Sequence, residues 1–442
     1  MKPENPKVAV IVVPGVSATS LVNTKTKAKL WNVNSAWDMV MENITQSSVY
    51  QMENLSNPAD IAVLESPEKD LKTRLGRGWS EAKEDRYQPF MIECEKEKLP
   101  FEPVLWLVGY NWVLSNEQAC DRIIEKTKLA LSQDGVEGFI YVAHSMGGLA
   151  VRAALQKMLK NPNDDTPKRL IGVVQVGTPN YGTPLLYRRA WSGNDESDAK
   201  MQLVMGSTGW EWLTMICKIR GLWELLPTRN YRMNQEPWLK VIADDPHHEF
   251  SSFGTPSTIS FEVTNVADLY SDTSTQKYNV LALATDALSA RHKPTLSGWW
   301  DSAQKVRDQI LADVQLRASQ AFDFHERLDR ELDSLPGKAM LKARTRAVVA
   351  TGVSTVVGCE VDVSNPDGLT VTAIKSMRGD EMVPLDSQKA DLPSASILEV
   401  TGVKHGDLMG AAGGQADVFK NVFKLMTDLY SQKWRYSMED PD

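Results

Sequence analysis

Apolar residues in this chain gather in short unbroken runs rather than in strict alternation. The first is Val8-Ala9-Val10-Ile11-Val12-Val13. A run with no polar alternation suits a strand buried on both faces. Val104 to Val108, Gly138 to Val142 and Leu170 to Val176 read as further strands, Arg344 to Ala350 resumes the rhythm as another, and Ser396 to Val400 reads as a last strand. Helical spacing lies between them. From Asn116 to Ser132 the apolar positions are Ala119, Ile123, Ile124, Leu129 and Leu131, which share one helical face. Leu149 to Leu155 and Gln415 to Tyr430 also read as helices. Strands alternating with helices predict a parallel sheet with helices on both faces.

The rhythm breaks after about residue 186. Residues 186–240 hold Trp191, Trp210, Trp212, Trp223 and Trp238 with Met201, Met205, Met215 and Met233. Residues 241–340 follow, with a charged helix over Asp301 to Leu332. The expected layout is a core in two parts, 1–185 and 341–442, around an inserted cap or lid at 186–340. No repeat and no low-complexity linker interrupts it.

One junction carries chemistry. Ala143-His144-Ser145-Met146-Gly147-Gly148 sits between the run ending at Val142 and the helix beginning at Leu149. Strand, sharp turn and helix are the setting in which a serine hydroxyl is lifted clear of a sheet as a nucleophile. Ala143 stands where G-x-S-x-G has its first glycine, and is small enough for the turn. A serine needs a base to take its proton. In α/β hydrolases an acid and then a histidine follow the serine, each on a loop after a strand. Of six histidines, His144 adjoins the nucleophile and is expected to point away from it. His247, His248, His292 and His325 fall in the inserted regions. His405 follows the last strand, where the base belongs. Gly379 permits a turn that brings Asp380 to the imidazole, with Glu381, Asp386 and Asp362 as rivals. An oxyanion hole needs two backbone N–H groups. Met146 supplies one, and Val16, in the Pro14-Gly15-Val16 loop after the first strand, supplies the other.

Composition narrows the class. The chain has 442 residues, 42% hydrophobic and 24% charged, with net charge −8 and a pI near 5.5. That balance argues against nucleic acid as a partner and gives no attraction to anionic membranes. Cys94, Cys120, Cys217 and Cys359 are far apart and show no metal-ligand spacing, so they read as reduced thiols. No metal and no cofactor is called for. The N-terminal stretch lacks the pattern of a signal peptide, and no run reaches membrane-spanning length. The chain is therefore expected to be cytoplasmic as synthesised.

Taken together, Pro14-Gly15, Ser20-Leu21, Gly109-Tyr110-Asn111-Trp112, the Ser145 motif, Gly177-Thr178-Pro179-Asn180, Gly379-Asp380, Val383-Pro384 and His405 occur in the order of a known family. The chain resembles the lecithin:cholesterol acyltransferase-like lipases and the wider group with the GPI inositol deacylases, over about 8–188 and 344–430. Asn111 departs from the Tyr-Asp-Trp-Arg common there. The stretch Gly109 to Asn116 is more similar to bacterial relatives, some of which resemble lipase effectors of the type VI secretion system. The resemblance implies an α/β-hydrolase fold, a mostly parallel sheet flanked by helices with an inserted helical cap. It implies a Ser145-His405-Asp380 triad, oxyanion donors Val16 and Met146, and cleavage of lipid acyl esters. It also implies export to a target-cell periplasm without a signal peptide, with a cognate immunity protein or secretion-apparatus component as partner. Tryptophan and methionine suit a lipid-facing pocket. Trp112, Trp223 and Leu225 are the candidate substrate-binding residues, although the same side chains would equally pack a helical cap. Acyl transfer to another alcohol, a non-lipid carboxylesterase and a non-enzymatic binding module stay open.

Overall fold

The computed structural model describes residues 5–31, 58–65, 68–193, 209–228, 230–233, 236–244, 258–262, 297–334, 337–362 and 370–436. The strands are β1 (Lys7–Val13), β2 (Leu21–Asn23), β3 (Lys29–Trp31), β4 (Ile61–Val63), β5 (Glu102–Leu107), β6 (Val136–His144), β7 (Leu170–Val176), β8 (Leu239–Asp244), β9 (Thr258–Glu262), β10 (Thr345–Thr351), β11 (Thr355–Asp362), β12 (Thr370–Ser376) and β13 (Ile397–Thr401). The helices are α1 (Glu84–Lys96), α2 (Asn116–Leu131), α3 (Gly147–Lys160), α4 (Pro184–Ser192), α5 (Gly209–Ile216), α6 (Arg220–Trp223), α7 (Ser297–Ser334), α8 (Lys338–Arg344), α9 (Leu385–Lys389), α10 (Ala411–Gln415) and α11 (Val418–Tyr436).

Six strands form the central sheet in the order β13-β10-β7-β6-β1-β5, and every neighbouring pair is parallel. The two-residue alternation of a strand sorts the apolar runs into two cores. Ala9, Ile11 and Val13 of β1, with Phe139, Tyr141 and Ala143 of β6, face one core, which includes the buried sides of α2 and α3. Val8, Val10 and Val12, with Ile140 and Val142, face the other, against α1 and α11. Each fully buried side chain of this size contributes about 1.5–3 kcal/mol relative to exposure. Both faces are therefore covered, and the runs lack polar residues for that reason. This is an α/β-hydrolase fold: a central parallel sheet with helices on both sides.

The inserted stretch packs on the α2–α3 side. In α7, Ile310, Val314, Ala318, Ala321, Phe324 and Leu328 are buried in the same core, at the three- and four-residue spacing of one helical face. The opposite side of this charged helix is left to solvent. The helix packs against α3, α5, α6 and α8. Beside these helices the insertion holds strands. β8 and β9 join β11 and β12 in a second, mixed sheet of order β12-β11-β8-β9, which the apolar pattern does not foretell. A third small sheet has the order β3-β2-β4. Among the described residues, no helix is long and apolar enough to cross a membrane.

Candidate active site

β6 ends at His144 and α3 begins at Gly147, so the chain reverses within two residues. Ser145 takes φ 55°, a left-handed conformation that side chains other than glycine rarely adopt. Its N–H donates to the Val176 carbonyl at the end of β7 (3.0 Å), and its own carbonyl accepts from the Gly148 N–H (2.9 Å). The small residues around it have a direct cause. A Cβ on Gly147 would lie 2.4 Å from the Pro14 carbonyl oxygen, and one on Gly15 would lie 2.9 Å from the Ser145 Cβ. Both are closer than real side chains approach.

Ser145 Oγ lies 2.7 Å from His405 Nε2, and His405 Nδ1 lies 2.7 Å from Asp380 Oδ2. His405 opens a short turn after β13, and its backbone N–H donates to the Asp380 carbonyl (2.7 Å). Asp380 is fully buried. Its Oδ1 accepts from the N–H groups of Met382 (3.1 Å) and Val383 (2.7 Å). That fixes the carboxylate and leaves Oδ2 for the imidazole. A carboxylate accepting at Nδ1 keeps the proton there, so Nε2 presents its lone pair to the serine hydroxyl. The rivals are engaged elsewhere. Glu381 pairs with Lys404 and Asp386 with Arg378, both at 2.7 Å, and Asp362 closes β11. The loop that carries Asp380 follows β12 and folds back to the end of β10. There Val353 and Asp380 form a parallel bridge, so the β11–β12 hairpin is an excursion between β10 and this loop.

Val16 and Met146 flank the serine on two loops, and among the described residues neither N–H has a hydrogen-bond partner. The preceding N–H, that of Gly15, is taken by the Tyr87 hydroxyl (2.9 Å). The same hydroxyl lies 2.9 Å from His144 Nδ1, and His144 Nε2 lies 3.1 Å from the His405 carbonyl oxygen. Both ring nitrogens of His144 thus bond groups other than Ser145, while its ring lies 5.1 Å from that of His405. Burial, with His405 close by, holds its pKa well below the usual value, so the ring is neutral. Nothing in the local sequence marks Tyr87, which lies 72 residues from Gly15.

The three candidate substrate-binding residues are packed rather than open. Trp112 gives its indole N–H to the Thr19 carbonyl (3.1 Å) and meets Trp31 edge-on. Trp223 gives its own to Ile216 (2.9 Å). The Leu225 N–H bonds the Leu222 carbonyl, and the Leu225 carbonyl accepts from Thr183. Trp212, Trp238 and Met233 are buried as well. Met201 and Met205 lie outside the described residues, as do the side chains of Trp191, Trp210 and Met215. Ser145 is 6% exposed and His405 8%, so the pair is shut from solvent in this conformation. Segment 209–228 is clasped to the core. The Arg220 N–H bonds Val113 (2.9 Å), and Glu224 Oε2 accepts from the backbone N–H and the side-chain amide of Asn116, both 2.8 Å. Burial pushes the Glu224 pKa up to about 8. Sequence reasoning missed this carboxyl; its partner lies 108 residues away.

Of the other histidines, His325 is buried with Nε2 against the Glu224 carbonyl (2.7 Å), while His247, His248 and His292 lie outside the described residues. No disulfide joins the four cysteines, all of which are buried, and burial raises every thiol pKa. Among the described residues no group of three or more His, Cys, Asp or Glu could hold a metal ion.

No family model matches the chain, and no curated protein does, so the likeness to acyltransferase-like lipases stays one of motifs. Solved structures do match. A chain of the crystal structure of the Tle4–Tli4 complex superimposes with a TM-score of 0.65 at 17% identity, covering 96% of this chain and 99% of that one.

Proposed function

We propose that this protein is a serine hydrolase that cleaves acyl esters of lipids, of the lipase or phospholipase A type. The observation that carries the proposal is the continuous contact Ser145 Oγ, His405 Nε2, His405 Nδ1, Asp380 Oδ2, with 2.7 Å at each hydrogen bond. In this mechanism His405 takes the Ser145 proton as Oγ attacks the ester carbonyl carbon. The carbonyl oxygen becomes an oxyanion and accepts hydrogen bonds from the Val16 and Met146 N–H groups. When the tetrahedral intermediate collapses, the C–O bond to the alcohol breaks and His405 protonates the leaving oxygen. Water then enters, gives a proton to His405 and attacks the acyl-serine. Fatty acid leaves and Ser145 recovers its proton. Asp380 holds the imidazole and stabilises its charged form.

Lipid as the substrate class draws support from the buried tryptophans and leucines of segment 209–228. Trp112, Trp223 and Leu225 would line the acyl path once that segment shifts away from the 112–114 loop. The resemblance to type VI lipase effectors, and a structural neighbour crystallised with a second protein, support a role as a secreted effector with a cognate immunity protein.

The test is fatty-acid release from a panel of phospholipids and neutral glycerides, wild type beside Ser145→Ala. Loss of several orders of magnitude in the variant is expected. Release that survives the substitution refutes the mechanism. For the effector role, periplasmic expression should harm cells and co-expression of the immunity protein should protect them.

A further inference from the structure

Two groups at the site lie outside the Ser145–His405–Asp380 contact and yet touch three of its parts. The Gly15 N–H meets the Tyr87 hydroxyl at 2.9 Å. That hydroxyl meets His144 Nδ1 at 2.9 Å. His144 Nε2 meets the His405 carbonyl at 3.1 Å. All are buried, and Tyr87 is fully so. The directions of these bonds follow from the chemistry. A carbonyl only accepts, so His144 Nε2 carries hydrogen. The ring is neutral, so Nδ1 is an acceptor and the phenol must donate to it. The phenol oxygen then has lone pairs left, and the Gly15 N–H donates to one. Every member is satisfied in one sense only, and a fully satisfied buried network fixes geometry.

We propose that Tyr87 and His144 are positioning residues that lock the oxyanion loop, the nucleophile turn and the base loop into one register. The proposal rests on the hydrolase assignment above. Tyr87 matters through what it leaves free. With the Gly15 N–H turned to the phenol, the next N–H along, that of Val16, has no partner among the described residues. A Cβ built on Gly15 would lie 3.3 Å from Ser145 Oγ, so this loop runs directly beside the nucleophile. At the other end, His144 adjoins Ser145 in sequence and holds the backbone of the residue whose side chain is the base. No proton needs to travel along the bridge. It sets distances, and those distances matter when the oxyanion forms.

A positioning role of this kind acts on the transition state more than on substrate binding. The test compares wild type, Tyr87→Phe, His144→Gln and the double variant. Sites are counted by fluorophosphonate titration. kcat and KM are measured on a soluble p-nitrophenyl ester, and affinity on a trifluoromethyl ketone that forms the oxyanion adduct. Tyr87→Phe should lower kcat per titrated site by about 10–100-fold, near the effect of losing one oxyanion donor, with KM within about twofold. Affinity for the ketone should fall by the same factor. The double variant should be no slower than the slower single one, because both break one network. Should Tyr87→Phe not fold, His144→Gln decides, with the same matched loss of kcat and ketone affinity required. A purely structural role would reduce the number of titratable sites and leave kcat per site unchanged, which overturns the proposal. So does a Tyr87→Phe enzyme within twofold of wild type. Failure of wild type to react with the fluorophosphonate at Ser145 is a separate result, and it removes the hydrolase assignment itself.

Discussion

Replacing Asp380 with asparagine should disable the site through a proton rather than through a lost contact. Asp380 Oδ1 accepts two backbone N–H groups, from Met382 and Val383, and Oδ2 faces His405 Nδ1. An asparagine has one oxygen and one NH2. The two backbone donors claim the oxygen, because an NH2 turned toward them would leave three donors facing one another at a fully buried side chain. The NH2 must then face His405 Nδ1, which becomes an acceptor. The imidazole proton moves to Nε2 and now points at Ser145 Oγ, so the serine loses its base. In a serine–histidine–aspartate site a reversed tautomer costs about four orders of magnitude in kcat, or roughly 5.5 kcal/mol of transition-state stabilisation. The turn itself keeps its hydrogen bonds, so the thermal midpoint should move little. Asp380→Ala differs, because it strands both backbone donors at about 1–3 kcal/mol for each buried group left unpaired. The assay is kcat per site on a soluble ester, with thermal melting in parallel. An Asp380→Asn enzyme that kept more than a tenth of wild-type kcat would refute the assignment, most clearly if Glu381→Gln or Asp386→Asn lost it instead.

Two further perturbations probe the neighbourhood. Gly15→Ala would put a methyl 2.9 Å from the Ser145 Cβ. The loop or the serine must shift, and kcat on a soluble ester should fall by about 100-fold, the scale of a misplacement near 1 Å; unchanged kcat would mean that the loop yields freely. Glu224 tests the clasp on segment 209–228, because burial raises its pKa from the ordinary 4.5 to about 8. The folded state then holds a proton that the unfolded chain has released. Its contribution is fully present below about pH 4.5 and is lost as pH rises toward 8, at about 1.4 kcal/mol per unit, or roughly 5 kcal/mol in all. Melting of wild type from pH 5 to 8 should show this fall, and Glu224→Gln should flatten it. An equal slope in both proteins would place the titration elsewhere.

The central sheet was legible because burial on both faces writes itself as Val8 to Val13 and Leu170 to Val176, runs in which Gln175 is the one polar side chain. Ser145 was legible for a related reason: a turn that forces φ to 55° between a strand and a helix tolerates only small neighbours. His405 and Asp380 were candidates by their place after strands, and their contact could only be seen in three dimensions. The second sheet escaped notice. β8 and β9 are short and amphiphilic, and β11 pairs with β8 across more than a hundred residues. Tyr87, His144 and Glu224 escaped for the same reason. A hydrogen bond between residues 57 to 108 apart leaves no periodic trace, and a buried tyrosine reads in sequence as one more core aromatic. Trp112 and Trp223 show the converse. In this conformation each gives its indole N–H to a carbonyl and is buried, and residue type alone does not separate such packing from a lipid path.

The residues that meet at Ser145 come from the ends of β1, β6 and β13 and from a loop tied back to β10, all at one edge of a parallel sheet. That edge is where open α/β sheets hold their ligands, because the loops leaving successive strands converge there. The geometry of the site therefore depends on strand order and on four short loops, and little on what lies between them. This is why the chain can place a long stretch between β7 and β10, and a whole hairpin between β10 and Asp380, without moving the carboxylate from the imidazole. The bridge from Val353 to Asp380 is the joint that makes the hairpin harmless, returning the chain to the sheet edge at the residue that meets the imidazole. The Tyr87–His144 network is the other joint, on the far side of the serine. It ties loop 14–16 to that edge through the Gly15 N–H.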